Sequence, residues 1–196
     1  PKCILELFSG TGIFSSTCSK AGLNVLQPFE IHDPVIFDLR RRSTQQIVFD
    51  LISSGRVWCV HLGTPCTVWS IARKGLRDFK KAREKEKIGV ELALFSHADI
   101  CACTKQQIFF SLENSATSQF FCICIIRSLL EHADVFAVIF DMCRYGEPYR
   151  KKTTILTNCP GLRALAAKCN LDKRSVVLSG SVRVMSIDGT SKSVSR

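Results

Sequence analysis

Leu5-Glu6-Leu7-Phe8-Ser9-Gly10-Thr11-Gly12 is the stretch that decides the fold. An apolar run from Cys3 to Phe8 ends in two closely spaced glycines. Ile13 to Ala21 then has helical composition, and Gly22 follows where a helix C-terminus takes positive φ. A strand that turns through Gly-x-Gly into a helix lets a ligand approach the backbone and leaves the first helical N–H groups to bind it. The third glycine of the dinucleotide fingerprint is not at its position, which argues against a pyrophosphate ligand.

Working outward, Leu23 to Glu30 reads as a second strand ending in an acid, Pro34 to Gln46 as a helix, and Ile47 to Asp50 as a third acid-ended strand. Arg56 to Leu62 is a strand stopped by Gly63-Thr64-Pro65. Gly89 to Lys105 carries apolar residues at helical spacing. Ile108 to Leu112 is a strand, Ser118 to His132 a helix, and Val135 to Phe140 and Ile155 to Thr157 further strands. This alternation predicts an α/β sheet with helices on both faces, whose ligands bind beyond the C-terminal ends of the strands. At those ends Glu30 can accept both hydroxyls of a ribose and Asp50 an adenine amino hydrogen, so with the glycine turn they describe an adenosine-type pocket. Cys66 follows a buried strand on a Gly-x-Pro loop, the position of a nucleophile, and Arg73, Lys74 and Arg77 favour its thiolate. Glu113 reaches the same edge, where a carboxyl group can donate a proton.

With 196 residues, the chain is expected to be one domain over 1–196 with a flexible end at about 186–196. At 46% hydrophobic and 22% charged it is globular material, not a disordered tail. No apolar run reaches the ~18 residues of a membrane span, and Pro1 to Ser9 do not read as a signal peptide. The 27 Lys and Arg against 17 Asp and Glu leave +10, which points to nucleic acid, phosphates or an anionic surface. Residues 73–87 hold eight basic and three acidic side chains, half of that excess. Arg40-Arg41-Arg42 reads as a helix surface. The eleven cysteines form no CxxC pair, and Cys101/Cys103 and Cys122/Cys124 lie among apolar residues as small fillers. The expectation is a reducing compartment with no disulfide frame and no metal. The four histidines lack partners at ligand spacing and read as structural.

Leu5 to Gly12, Phe29-Glu30, Asp50, Gly63 to Ser70, Leu112-Glu113-Asn114 and Tyr145 to Pro148, in this order, resemble the motifs of the cytosine-C5 methyltransferases. The resemblance covers about residues 3–157, and Pro65-Cys66 with Glu113-Asn114 are its specific part. It implies a Rossmann-like sheet that binds S-adenosylmethionine. Phe8 would pack on the adenine, and Ser9, Gly10, Thr11 and Gly12 would form the cofactor loop. Glu30 would hold the ribose and Asp50 the adenine. Ile31 would take the place of an adenine-stacking residue, and Pro65 would border the cofactor. Cys66 would attack C6 of a flipped cytosine and Glu113 would protonate or hydrogen-bond N3. Ser70, Arg73, Lys74, Arg77 and Lys80, with Arg150, Lys151 and Lys152, would contact nucleic acid.

The implied activity is C5 methylation of cytosine in DNA. The alternatives are RNA, including tRNA, as substrate, and a non-catalytic nucleic-acid-binding module that keeps the fold. The expected location is intracellular, nuclear in a eukaryote and otherwise cytoplasmic. There are departures from the family pattern. After Tyr-Gly-x-Pro the family has Gln-x-Arg-x-Arg, whose last arginine helps hold the cytosine O2. Here Thr153 stands at that place, leaving a neighbouring Lys or Arg to substitute. Ser115 replaces a valine, and neither a large target-recognition region nor a final asparagine motif is found. The expectation is a reduced or fragmentary member.

Overall fold

The computed structural model describes residues 2–30, 37–70, 79–147, 150–169, 182–185 and 191–194. Ile31, Arg73, Lys74 and Arg77 lie outside the described residues, as does the side chain of Lys80.

Strand β1, Cys3–Leu7, is buried along four of its five residues, as a strand covered on both faces must be. The sheet grows from it. In chain order follow α1 (Ile13–Lys20), α2 (Arg42–Ser53), β2 (Val57–Leu62), α3 (Phe79–Lys105), β3 (Phe109–Ser115), α4 (Cys124–Ser128), β4 (Phe136–Asp141) and β5 (Lys152–Thr157). Strands β1, β2 and β3 are parallel neighbours, β5 is antiparallel to β3, and β4 closes the edge beyond β5. Register pairs Glu6 with His61, so both point to one face, and both meet α1 there. Glu6 Oε2 accepts the Ser15 N–H at 3.0 Å, and the His61 ring stacks on Phe14 at 4.2 Å between centroids. Burial lowers the His61 pKa to about 4, so the ring is neutral, as a packing histidine should be. Leu5, Leu7, Val60 and Leu62 alternate to the other face and join the core with Val48 and Ile52 of α2 and Leu92 and Phe95 of α3.

Several expectations are corrected, and the helix expected from Pro34 to Gln46 begins only at Arg42. The second strand is reduced to two parallel bridges, Ile4 with Val25 and Leu7 with Phe29. Four residues there oppose three of β1, and Pro28 has no N–H for the ladder. The third strand does not exist: residues 47–50 lie within α2, whose buried Thr44, Val48 and Ile52 recur every four residues. The single helix expected over 118–132 is broken into a 3-10 turn (Gln119–Cys122), α4, and a second 3-10 turn (Leu129–Glu131), because its aromatic and β-branched run is a poor helix former. Within the stretch expected to be a flexible end, strand β7 (Ser191–Val194) pairs antiparallel with β6 (Val182–Met185). Of the cysteines expected as fillers only Cys103 is fully buried; Cys101, Cys122 and Cys124 are exposed. No helix among the described residues is long and apolar enough to cross a membrane.

A buried carboxyl group in α3 goes without a hydrogen-bond partner. Asp99 of α3 is 0% exposed, and neither carboxyl oxygen is hydrogen-bonded. Burial raises its pKa from 3.8 to about 8, so the side chain folds protonated. Between these two values the native state holds a proton the unfolded chain has released, so Asp99 makes stability fall as pH rises through that window. The slope is at most about 1.4 kcal/mol per pH unit. Asp99→Asn should flatten the curve of unfolding free energy between pH 5 and 7, measured by urea denaturation. Equal slopes for variant and wild type would contradict a protonated Asp99.

Candidate active site

The glycine loop between β1 and α1 is held from behind by two carboxylates. Phe8, Gly10 and Gly12 all have positive φ (58°, 55° and 66°), the conformation in which glycine is free of a Cβ penalty. Gly12 is the N-cap of α1 but has no side chain to cap with. The buried Glu6 does this from β1 through the Ser15 N–H, and its anion is favourable at a helix N-terminus. Burial, partly offset by Ser15, raises the Glu6 pKa. Glu30 follows the second bridge and accepts the Gly10 N–H at 2.5 Å. Beside the loop lies a cavity of about 200 Å³, lined by Phe8, Gly10, Glu30, Asp38, Arg40 and Pro65 among others. Phe8 packs edge-on against Phe95 of α3 and forms one wall. Gly63 brings β2 against the loop, since a Cβ there would stand 3.0 Å from the Phe8 carbonyl oxygen.

Four of the expected cofactor residues (Phe8, Gly10, Glu30 and Pro65) line this cavity. Ser9, Thr11 and Gly12 complete the loop, whose turn is closed by the Gly12 N–H donating to the Ser9 carbonyl. Asp50 is not part of it. That side chain lies on the exposed face of α2 and accepts from Gln46 Nε2 at 2.9 Å, an ordinary i,i+4 contact. The acid that faces the cavity is Asp38, which the sequence reading hid inside an expected helix. Arg40 grips it with Nε and Nη2 at 2.8–3.1 Å, and these bonds hold its pKa below the usual carboxylate range. Arg40 lines the cavity as well while staying exposed, and of the three arginines expected on a helix surface only Arg42 lies in α2, with Arg41 as its N-cap.

Beyond β2, Pro65 is exposed and Cys66 half-buried at the start of a tight turn in which the Trp69 N–H donates to the Cys66 carbonyl. The turn is fixed from three directions. The Thr64 hydroxyl bonds the Ser96 hydroxyl of α3 at 2.9 Å. The Gln119 N–H donates to the Trp69 carbonyl. The buried Asn114 side chain donates from Nδ2 to the Thr64 carbonyl at 3.0 Å, while its oxygen accepts the Ser115 N–H. Helix α3 comes so close that a Cβ at Gly89 would overlap the Val68 side chain. Asn114 thus joins the cysteine loop to the strand that carries Glu113.

Glu113 is partly exposed on β3, and Lys151 Nζ stands 3.6 Å from its Oε1. Thr153 is fully buried, with its hydroxyl unpartnered, between Ser115 of β3 and Phe140 of β4. The cation at the acid is therefore Lys151, two residues upstream. Arg150 faces the buried Asp141 at 3.6 Å, Lys152 is exposed on β5, and Ser70 is half-buried after the cysteine turn.

No protein-family model matches the sequence, and no curated protein is similar to it. Among solved structures, a mutant DNMT2 of Spodoptera frugiperda superposes with a TM-score of 0.51 at 17% identity, over 92% of this chain and 58% of its own. The Entamoeba histolytica methyltransferase EhMeth gives 0.46 at 16% identity over 81% and 53%, and the S. pombe Dnmt2 methyltransferase 0.45 at 12% over 80% and 49%. The chain spans about half the length of these proteins. The first of them shows the fold: the mixed five-stranded sheet is the Rossmann-like α/β fold of that protein.

Removing the Asn114 side chain leaves the buried Thr64 carbonyl unpaired, at a cost of about 1–3 kcal/mol. Asn114→Ala should lower the melting temperature and speed the alkylation of Cys66 by iodoacetamide under native conditions. An unchanged Cys66 rate would show that the loop does not depend on this bond.

Proposed function

We propose that this chain is an S-adenosylmethionine-dependent cytosine-C5 methyltransferase domain acting on nucleic acid, with DNA as the substrate and RNA as the alternative. The observation that carries the reading is the Asn114–Thr64 hydrogen bond, which fixes a cysteine loop and a glutamate strand side by side at the carboxyl ends of adjacent parallel strands. The Pro65 of that same loop borders the cavity over the glycine turn.

The cavity suits the nucleoside end of the cofactor. Gly10 and Gly12 leave open space where any other residue would place a Cβ. The lining offers an aromatic wall and two acceptor carboxylates, which is what an adenine ring, a ribose diol and an amino group require. Phe8 would pack on the adenine and Glu30 would take the ribose hydroxyls. Asp38, rather than Asp50, would receive the adenine amino group. S-adenosylmethionine, when bound, supplies the methyl group on a sulfonium.

The chain's own residues do the rest. Cys66 Sγ adds to C6 of a cytosine turned out of its stack, and Glu113 holds the proton at N3 as electron density moves onto the ring. C5 thereby becomes nucleophilic and accepts the methyl group. Loss of the C5 proton then lets the Cys66–C6 bond break. Lys151 keeps a positive charge at Glu113, where the buried Thr153 supplies none. The excess of basic residues after the cysteine loop, and Arg150 to Lys152, would meet phosphates.

Two measurements test this reading. In calorimetric titration with S-adenosylhomocysteine, Glu30→Ala and Asp38→Ala should each weaken binding about tenfold or more, since a charged hydrogen bond contributes about 1.5–3 kcal/mol. Asp50→Ala should bind as wild type. With labelled S-adenosylmethionine and 5-fluorocytosine placed in DNA or in RNA, the wild type should form a covalent adduct on one of them. Cys66→Ala should form none while still binding S-adenosylhomocysteine. Glu113→Gln should slow transfer roughly 10²–10⁴-fold. Binding of S-adenosylhomocysteine without an adduct on either polymer would leave the non-catalytic module as the better reading.

A further inference from the structure

Asp141 ends β4 almost fully buried and organises the chain around it. Its N–H donates to the Ala167 carbonyl at 2.9 Å, its Oδ2 accepts the Cys169 N–H at 2.7 Å, and its Oδ1 faces Arg150. The Tyr145 hydroxyl donates to the Leu165 carbonyl at 2.8 Å. Residues 165–169 are thereby docked on the end of β4 and on the 3-10 turn Met142–Tyr145 that follows it. Across this docked junction two half-buried cysteines are neighbours: Cys143 on the turn and Cys169 on the returning segment, whose N–H is held by Asp141 two residues before Cys143. Neighbouring thiols on backbones already fixed by other bonds are the arrangement in which a disulfide can close.

We propose that Cys143 and Cys169 form a reversible dithiol–disulfide site, closed by a low-molecular-weight disulfide such as glutathione disulfide, that fastens residues 165–169 to the end of β4. The Cys143 thiolate attacks one sulfur of glutathione disulfide and expels a glutathione thiolate. The Cys169 thiolate then attacks the Cys143 sulfur of the mixed disulfide and expels the second glutathione. Two cysteine thiols are oxidised, one disulfide is reduced to two glutathione thiols, and the two protons pass from the former to the latter. Partial burial, the neighbouring Cys169 thiol and the nearby Asp141 raise the Cys143 pKa, so closure is slow at neutral pH and is best assayed above it.

The site bears on the candidate active site without being part of it. The Met142 N–H donates to the Lys151 carbonyl at 2.9 Å, and Lys151 is the residue that faces Glu113. Closing the bridge beside Met142 restrains the segment that presents this lysine. The proposal stands whether or not the chain transfers methyl groups.

The test uses the reduced full chain, incubated with glutathione disulfide at pH 8.5, quenched with N-ethylmaleimide and digested without reductant. A peptide joining Cys143 to Cys169 is expected, reopened by dithiothreitol, while the exposed Cys101, Cys122 and Cys124 carry single glutathione adducts. Amide exchange over 141–152 should slow in the oxidised wild type and stay unchanged in Cys143→Ser, whose Cys169 should end as a glutathione adduct. Cys169→Ala provides the same comparison should Cys143→Ser fold poorly. Recovery of Cys143 and Cys169 as maleimide or separate glutathione adducts, with the exposed cysteines modified, would overturn the site. A bridge that forms without slowing exchange over 141–152 would overturn its link to Lys151.

Discussion

The hydrogen bond from the Asn114 amide to the Thr64 carbonyl is the constraint on which the arrangement at the sheet's edge depends. A cysteine loop has no ladder of its own and would wander unless something fixed it, whereas β3 is held by two neighbours. The buried amide spends its donor on the loop and its acceptor on the next backbone N–H, so it is satisfied on both sides and the link is specific. The Thr64 hydroxyl then reaches α3 through Ser96, and Gly89 lets that helix lie directly on Val68. Cys66 and Glu113, the nucleophile and the acid of the proposed reaction, are thus placed by rigid elements, while the loop itself stays open.

A second set of contacts works on the cofactor side by the same logic. A glycine loop gains its freedom at an entropic cost, and here two acids offset it. Glu6 caps α1 from inside the sheet, and Glu30 holds Gly10 from outside. The Glu30 contact has a further consequence. Its carboxylate already accepts a loop N–H, so a ribose would meet a group that is pre-oriented by the loop it must close over.

How much of this was legible in the sequence varies with the kind of signal. Cys3–Leu7, Val57–Leu62 and Phe136–Asp141 were readable because short apolar runs bounded by turn residues are what buried strands require. The pairing of the Pro65-Cys66 loop with the Glu113 strand followed from placing both after parallel strands. Asp50 reads as a strand end because Ile47-Val48-Phe49 is β-branched and aromatic in isolation; only Thr44 and Ile52, four residues away on either side of Val48, reveal the helix. The second acid of the cavity, Asp38, is hidden in the same way, inside an expected helix that in fact starts at Arg42. Asp99 gave no signal at all. An acid among Ala, Ile and Cys on a helix reads as a solvated face, and only packing shows it buried.

Lys151 shows why a motif departure need not remove the physical quantity the motif supplies. By the resemblance to the cytosine-C5 methyltransferases Thr153 stands where a cation is expected, and a cation could not sit there: the side chain is enclosed between β3 and β4 with its hydroxyl unpartnered. A charge in that place would need a partner or would cost several kcal/mol in desolvation. Two residues earlier the chain has not yet entered β5 and Lys151 is still partly exposed, so its ammonium reaches Glu113 while keeping contact with water. Side chains at i and i+2 along an extended chain share a face. Moving the charge by two residues therefore preserves the side of the sheet on which it acts and changes only its depth.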